Sequence, residues 1–295
     1  MWIADRWKDY ECIDTSNGEK LERWGDYVLL RPDPQVIWST DKNNEYWKKL
    51  NAHYHRSKKG GGSWEVFDLP EKWQIRYALS DEDSLTFNLQ PFKFKHTGLF
   101  PEQAVNWDWM YNKIKNSKKN DGEIKVLNLF AYTGGATLAC LRAGAHVTHV
   151  DASKGMVTWA KENAISSGLE DRPVRWLVDD CVKFVEREIR RGNKYDAIIM
   201  DPPSYGRGPK GEIWKLEDNI YEFLTLCNNI LVEDPLFVLL NSYTTGLQPA
   251  VLTYMMSKAF LKGRDGKVNA QEIGLPVTDS GLILPCGASG RYEKE

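Results

Sequence analysis

The stretch Val126-Leu-Asn-Leu-Phe-Ala-Tyr-Thr-Gly-Gly135 decides the fold of this chain. A short apolar run ends at Phe130, a polar turn with two adjacent glycines follows, and residues 135–143 then have a helical pattern. This order predicts a buried strand, a tight turn and a helix. Paired glycines allow close approach to the backbone, so the pattern is typical of a ligand-binding turn and equally of a purely structural one.

The alternation of strand and helix continues along the next hundred residues. Further buried strands are predicted at 146–150, 174–178, 195–200 and 236–240, and helices near 135–143, 153–167, 181–191 and 217–231. Strands that alternate with helices form a parallel sheet with helices on both faces. Two closing runs, 267–277 and 281–287, have no helix between them and predict an antiparallel hairpin. The predicted fold class is α/β, a Rossmann-like, mostly parallel seven-stranded sheet that ends in this hairpin.

The N-terminal part of the chain has a different composition. Residues 1–80 hold seven of the twelve Trp and several short β-like runs, separated by turn clusters such as Asn17-Gly18. We therefore expect a small β-rich N-terminal domain over residues 1–85, suited to substrate recognition, and an α/β domain over residues 86–295. The Trp side chains could stack on nucleic-acid bases or fill the thin core of a small domain.

Charge and hydropathy exclude several classes of protein. The 295 residues carry 39 Lys and Arg against 41 Asp and Glu, a formal net charge of −2, which excludes a uniformly basic nucleic-acid-binding protein. No apolar run is long enough for a membrane span, and the charged N-terminus does not resemble a signal peptide. We expect a cytoplasmic protein.

Cysteine and histidine are scattered. The five Cys stand singly, which favours reduced thiols over disulfides or a zinc site. His53 and His55 form the one close His pair, but no carboxylate or Cys lies at metal-ligand spacing beside them in the sequence. The sequence therefore predicts no metal site.

Acidic residues follow the predicted strands, at the edge where open α/β sheets bind their ligands. Asp151 follows the second strand, where a carboxylate can accept hydrogen bonds from a ribose diol. Asp179 and Asp180 follow the third and could accept from an adenine amino group. Asp201-Pro-Pro-Ser-Tyr205 follows the fourth; its two prolines stiffen the turn and leave carbonyl oxygens free for a substrate.

These motifs, in this order, carry a resemblance. The segments Asn128–Gly135, Val150-Asp-Ala-Ser153, Asp179-Asp180 and Asp201–Gly208 resemble the class I S-adenosylmethionine-dependent methyltransferases. Within them the chain is similar to the branch related to bacterial 23S ribosomal RNA large-subunit methyltransferases. The segment His96–Gln103 resembles the lead-in of that branch, and the similarity extends over about residues 90–290.

The resemblance implies a cofactor, S-adenosylmethionine, and an RNA substrate, ribosomal RNA. It implies that Asp201 lies beside the transferred methyl group, with Pro202, Pro203 and Tyr205 shaping the substrate slot. Asp201, Pro202 and Tyr205 are thus the catalytic candidates. The implied cofactor-binding residues are Phe100, Gln103, Phe130, Tyr132, Thr133, Gly134, Asp151, Ser153, Asp179, Asp180 and Asp201.

Two departures from the family bear on the mechanism. Members that methylate cytosine at carbon 5 use a Cys after the fifth strand, where this chain has Asn241–Gly246, so a non-covalent mechanism is expected. Cys286, after the last predicted strand, is the one thiol expected near the site. Amino-nitrogen methyltransferases have an aromatic residue directly after the Pro pair, where Ser204 stands here before Tyr205.

Other functions remain as alternatives. A catalytically silent RNA-binding protein would share the fold, and the methyl acceptor could be a protein or a small molecule. A nicotinamide-dependent oxidoreductase is disfavoured because no G-x-G-x-x-G follows the first predicted strand, where the dinucleotide-binding motif stands. RNA phosphates could be contacted by Arg56-Ser-Lys-Lys59 with the following Gly60–Gly62, and by Arg207 and Lys210, or these could be solvated loops.

Overall fold

The structure, a computed structural model, describes residues 1–57, 61–92, 95–118, 123–207, 213–244 and 246–294. The chain divides into two compact units. The first comprises Met1–Trp2, Asn106–Ile273 and Gly287–Glu295, and the second comprises Ile3–Val105 and Gly274–Cys286. The boundary expected between residues 85 and 86 falls inside the second unit, which also takes a short C-terminal segment.

Strands and helices are numbered in chain order. The strands are β1 (Trp2–Ile3), β2 (Tyr10–Ser16), β3 (Glu19–Trp24), β4 (Tyr27–Pro32), β5 (Ala52–Arg56), β6 (Gly62–Val66), β7 (Trp73–Ala78), β8 (Ser84–Leu89), β9 (Lys125–Leu129), β10 (His146–Asp151), β11 (Val174–Val178), β12 (Ala197–Met200), β13 (Tyr205–Arg207), β14 (Ile213–Lys215), β15 (Phe237–Ser242), β16 (Lys267–Pro276) and β17 (Ile283–Glu293). The α-helices are α1 (Ala104–Lys115), α2 (Gly135–Arg142), α3 (Lys154–Ser166), α4 (Cys181–Arg191), α5 (Leu216–Asn228) and α6 (Pro249–Phe260). Among the described residues, no helix combines the length and apolar character that a membrane crossing requires.

The main sheet has eight strands in the order β1-β16-β17-β15-β12-β9-β10-β11. The pairs from β15 to β11 are parallel, whereas β17 runs antiparallel to β15. Strands β12 and β15 are buried along their whole length, as expected of central strands with helices on both faces. The predicted mostly parallel sheet with its C-terminal hairpin is confirmed, and the two-residue β1 adds an eighth strand to the seven expected.

The last strand is longer than predicted. It continues to Glu293 by pairing with β15, so Cys286 lies inside β17 and does not follow it. The extension passes through Gly287-Ala-Ser-Gly290, small residues that lack a strand pattern. Packing favours the two glycines: a Cβ at Gly290 would lie 2.4 Å from Met256 Sδ of α6, and one at Gly287 would lie 2.9 Å from Ser242 O of β15.

The second unit is built from two smaller sheets. Strands β2 to β6 form one sheet in chain order, and β7 and β8 form a separate hairpin. Strand β7 alternates buried and exposed residues, the pattern of a strand with one face in the core. Trp24 and Trp73 are buried, and Trp38 is 40% exposed, so the first two serve the core. The β-rich N-terminal region is thereby confirmed.

Candidate functional site

The register of the central strands brings four strand ends to one level of the sheet. Leu129 at the end of β9 pairs with Val150 of β10 and with Met200 of β12. On the other side of β10, Asp151 pairs with Val178 at the end of β11. The polar segments that follow these strands therefore share one edge, as the sequence predicted.

The loop after β9 has an unusual backbone. Phe130 and Tyr132 have positive φ values of 56° and 51°, and Gly134 has φ 87°. Non-glycine residues in this region are strained by about 1–3 kcal/mol and persist where surrounding contacts hold them. Here Phe130 N–H donates to Cys181 Sγ at 3.3 Å, and Tyr132 N–H donates to Asp151 Oδ2 at 2.9 Å.

Asp151 ties this loop to the next strand end. Its second oxygen accepts from Ser153 N–H at 2.8 Å, so one carboxylate binds two backbone donors from two loops. Burial raises the pKa of Asp151, and the two hydrogen bonds oppose that rise. A carboxylate accepts up to about four hydrogen bonds, so this one has capacity left for two hydroxyl groups.

The two glycines of the turn have different roles. Gly134, with its positive φ, is the N-cap of α2. Gly135 instead faces the core, because a Cβ there would lie 2.7 Å from Cζ2 of the buried Trp107. The indole therefore requires a small residue at Gly135, which agrees with the structural interpretation of this residue.

A buried polar network beneath the turn escaped sequence analysis. Asn128 Nδ2 donates to Thr137 Oγ1 at 2.9 Å, and that hydroxyl lies 2.9 Å from His149 Nδ1. Burial lowers the pKa of His149 to about 3, so the ring is neutral. The network joins β9, α2 and β10.

The acidic and hydroxyl side chains after β10 and β11 already make contacts that stabilise the fold. Ser153 caps α3 by accepting from Met156 N–H at 3.4 Å, and Asp180 Oδ1 caps α4 by accepting from Lys183 N–H at 2.9 Å. Asp179 is more heavily engaged, because one oxygen accepts from Asp180 N–H and the other binds Arg187. Asp180 thus has the less occupied carboxylate of the pair.

The segment after β12 is braced by neighbouring elements. Asp201 follows β12, and its N–H donates to Leu129 O at 3.4 Å, whereas Pro202 is buried. Pro203 O accepts from Trp214 Nε1 at 2.8 Å, and Ser204 Oγ accepts from Thr244 Oγ1 at 2.6 Å. The expectation that the prolines leave their carbonyls free is wrong for Pro203, whose oxygen is held by the β14 indole.

Trp214 is a site residue that sequence analysis missed. Its ring lies 5.7 Å from Phe130 and 5.9 Å from Phe223, centroid to centroid, so it contacts the loop after β9 and the helix α5. Together with its bond to Pro203, it links the loop after β9 to the segment after β12. Nothing in its local sequence indicates this role, since the link depends on the short β13–β14 hairpin.

Four more predicted site residues lie in different places. Tyr205 begins β13 and is 50% exposed. Thr133 is buried, and its carbonyl accepts from Asn163 Nδ2 at 2.9 Å. Phe100 and Gln103 belong to the second unit. There Gln103 is buried in the turn that precedes α1, and the Phe100 ring lies 5.4 Å from His96. The cofactor contacts expected of Phe100, Gln103 and Thr133 stay predictions, as does the catalytic role expected of Tyr205.

The thiols are unsuited to nucleophilic attack. All five cysteines are free and buried. Burial raises the pKa of each of them, which disfavours the reactive thiolate. Cys286, the expected candidate, donates to Leu284 O at 3.4 Å within its own strand.

Curated proteins with similar sequences are ribosomal RNA methyltransferases by name. The "Ribosomal RNA large subunit methyltransferase K/L" of Shewanella frigidimarina is 32% identical over 178 residues, 60% of this chain and 23% of that protein. Its namesake from Pseudoalteromonas atlantica is 35% identical over 130 residues, 44% of this chain and 17% of that protein. The chain thus spans about a fifth of the length of these relatives.

Solved structures share the fold over nearly the whole chain. A SAM-dependent methyltransferase from Agrobacterium tumefaciens matches with TM-score 0.90 and 36% identity, covering 99% of this chain and 93% of that one. A Streptococcus mutans structure at 17% identity, TM-score 0.72, covers 98% and 76% and shows the fold alone. A family model described as S-adenosylmethionine-dependent methyltransferase matches residues 38–241. The chain therefore belongs to the S-adenosylmethionine-dependent methyltransferases.

Proposed function

We propose that this protein methylates ribosomal RNA, with its cofactor bound along the carboxyl ends of β9 to β12. The observation that carries the proposal is the Asp151 carboxylate, which is held by Tyr132 N–H and Ser153 N–H at the level of the other strand ends. A rigid acceptor at the end of the second strand of an open α/β sheet suits a ribose diol.

The carboxylates at the strand ends fit the hydrogen-bond donors of an adenosyl group. Asp151 supplies the acceptor for the ribose hydroxyls. Asp180 is the better candidate for the adenine amino group, because both oxygens of Asp179 are engaged by Asp180 N–H and Arg187. Gly134 and its neighbours Phe130, Tyr132 and Thr133 would line the cofactor from the loop after β9, and Ser153 acts by capping α3.

The cofactor supplies an electrophilic methyl group on a sulfonium, so the protein needs chiefly to align the acceptor atom. We assign the alignment to Asp201, whose carboxylate would accept a hydrogen bond from the acceptor N–H or O–H and take its proton. Pro202, buried, and Pro203, bound through its carbonyl to Trp214, would hold the segment rigid. Tyr205, half exposed, offers its ring for stacking on a base.

The transfer would be direct, without a protein–RNA adduct. An adduct requires a thiolate, and burial raises the pKa of all five thiols. Carbon 5 of cytosine, which needs such an adduct for activation, is therefore a less suitable acceptor than a nitrogen or oxygen that carries its own proton.

Ribosomal RNA is proposed as the substrate because the curated relatives carry that name. We assign its recognition to the β-rich second unit, where Arg56 is exposed at the end of β5. Lys58, Lys59 and Lys210, which were also expected to contact phosphates, lie outside the described residues.

The test is transfer of a labelled methyl group from S-adenosylmethionine to three separate acceptor pools: deproteinised ribosomal RNA, protein and small molecules. We expect label in the RNA, and loss of transfer in Asp201→Asn with binding of S-adenosylhomocysteine retained. Asp171→Asn, an exposed carboxylate of the same unit, is the matched control and should transfer normally.

Each other outcome contradicts part of the proposal. Label in protein or small molecules would overturn the substrate assignment. Cofactor binding without methyl transfer to any pool would indicate a catalytically inactive protein. Full activity in Asp201→Asn would remove this residue from the mechanism.

A further inference from the structure

The β5–β6 hairpin of the second unit gathers metal-ligating side chains on one face. His53 and His55 stand two residues apart on β5, so both point to the same side of the sheet. Glu65 of β6 is the direct cross-strand partner of His53. One ligand atom from each of the three side chains lies within 4.8 Å of the other two.

The contacts within this group are close. His55 Nε2 lies 2.7 Å from Glu65 Oε2, and His53 Nε2 lies 2.7 Å from Glu19 Oε1 at the start of β3. The two imidazole rings are 3.9 Å apart, centroid to centroid. Lys42 Nζ, 3.8 Å from the other oxygen of Glu19, is a nearby cation.

We propose that His53, His55 and Glu65 bind a divalent transition metal ion, with Zn²⁺ the ion that fits best. Two imidazole nitrogens and one carboxylate oxygen are a common ligand set for zinc. Mg²⁺ and Ca²⁺ prefer oxygen ligands only, which this group cannot provide. Glu19, already beside His53, or a water molecule completes four-coordination.

The position of the ligands suits a metal that enters from solvent. The His55 and Glu65 side chains are 49% and 54% exposed, so the ion has an open path, and His53 is 20% exposed. In the present arrangement each Nε2 faces a carboxylate oxygen across a hydrogen-bond distance. A dication that replaces the proton between His55 and Glu65 keeps that nitrogen and that oxygen near each other.

The ion would cross-link β5 to β6. The exposed Arg56 is the last residue of β5, so metal binding would stiffen the strand pair that carries it. The proposal is independent of the proposed function, since its ligands lie outside the unit that holds the strand-end residues. It also differs from the sequence prediction of no metal, because Glu65 reaches the His pair only through strand pairing.

The test is calorimetric titration of the chelator-treated full chain with ZnCl₂, and with MgCl₂ as the comparison ion. We expect one Zn²⁺ per chain and at least about tenfold weaker binding of Mg²⁺. Glu65→Gln and the double variant His53→Ala/His55→Ala should weaken Zn²⁺ binding by more than the roughly 10- to 100-fold that is typical when a partner outside the ligand shell is lost. Glu71→Gln, an exposed carboxylate of the same unit, is the matched control and should bind as the wild type does.

Two further measurements keep the test independent of folding defects. At equal concentration, Zn²⁺ should raise the unfolding temperature of the wild type more than that of Glu65→Gln, a nearly isosteric change. The Co²⁺-loaded protein should show the spectrum of nitrogen and oxygen ligands. A thiolate charge-transfer band, equal Zn²⁺ and Mg²⁺ affinity, or unchanged binding in the double variant would overturn the proposal and leave these residues as ordinary surface ion pairs.

Discussion

Replacing Asp151 by Ala tests whether one carboxylate both supports the loop after β9 and binds the cofactor. The change removes the acceptor of Tyr132 N–H, which is partly buried, and of Ser153 N–H, which is exposed. The exposed donor can turn to water, so the stability loss comes mainly from the partly buried one. We expect a decrease of about 1–3 kcal/mol in the free energy of unfolding.

The effect on the cofactor should be separate and additional. Hydrogen bonds to a charged group contribute about 1.5–3 kcal/mol, which corresponds to roughly 10- to 150-fold weaker binding of S-adenosylhomocysteine. Calorimetric titration measures this loss, at a temperature where urea unfolding shows the variant to be folded.

Asp179→Ala is the control for this experiment. Its carboxylate binds Asp180 N–H and Arg187, so its removal should reduce stability yet change cofactor affinity much less than Asp151→Ala does. Wild-type affinity in folded Asp151→Ala, or an equal loss in both variants, would refute the assignment of the ribose acceptor.

Three further predictions concern the support of this site. Burial lowers the pKa of His149 from 6.5 to about 3, so the unfolded chain takes up a proton first as the pH falls. The free energy of unfolding should therefore decrease as the pH falls from 6.5 towards 3, by about 2 kcal/mol at pH 5. Urea unfolding of His149→Gln should show a shallower decrease, and an equal decrease in both proteins would contradict the burial of this ring. Gly135→Ala should destabilise by about 1–3 kcal/mol through overlap with Trp107. Gly155→Ala, in the first turn of α3, should be neutral or stabilising in thermal unfolding, because the added Cβ would meet Ser153 Oγ at an ordinary 3.8 Å. Trp214→Phe removes the indole N–H that donates to Pro203 O but keeps an aromatic ring at this position. The kcat should therefore fall about 2- to 10-fold with cofactor affinity unchanged. An unchanged kcat would show that this hydrogen bond does not position the segment after β12.

Local sequence was sufficient for the α/β fold. The runs that became β9, β10 and β11 were apolar and bounded by turns, and each was followed by a helix, so their type and order were predictable. The positions of Asp151, Asp180 and Asp201 at one edge also followed, because the carboxyl ends of parallel strands always meet there.

The C-terminal strand shows where local sequence was insufficient. Gly287 to Gly290 have low strand propensity, yet they extend β17 because β15 offers its hydrogen-bonding edge. The glycine at 290 fits this position because a Cβ there would overlap Met256 Sδ. This extension moved Cys286 into the body of the strand. Contacts between distant segments overrode propensity here.

The details of the two sites depended on such contacts as well. Pattern alone predicted a glycine turn and a proline pair, but only the tertiary structure placed Trp107 against Gly135 and the Trp214 indole on the Pro203 carbonyl. It likewise brought Glu65 beside His55, ten residues earlier. Periodicity determines which face of a strand or helix is buried, and it carries no information on which partner from elsewhere in the chain that face will meet; strand register and packing decide that.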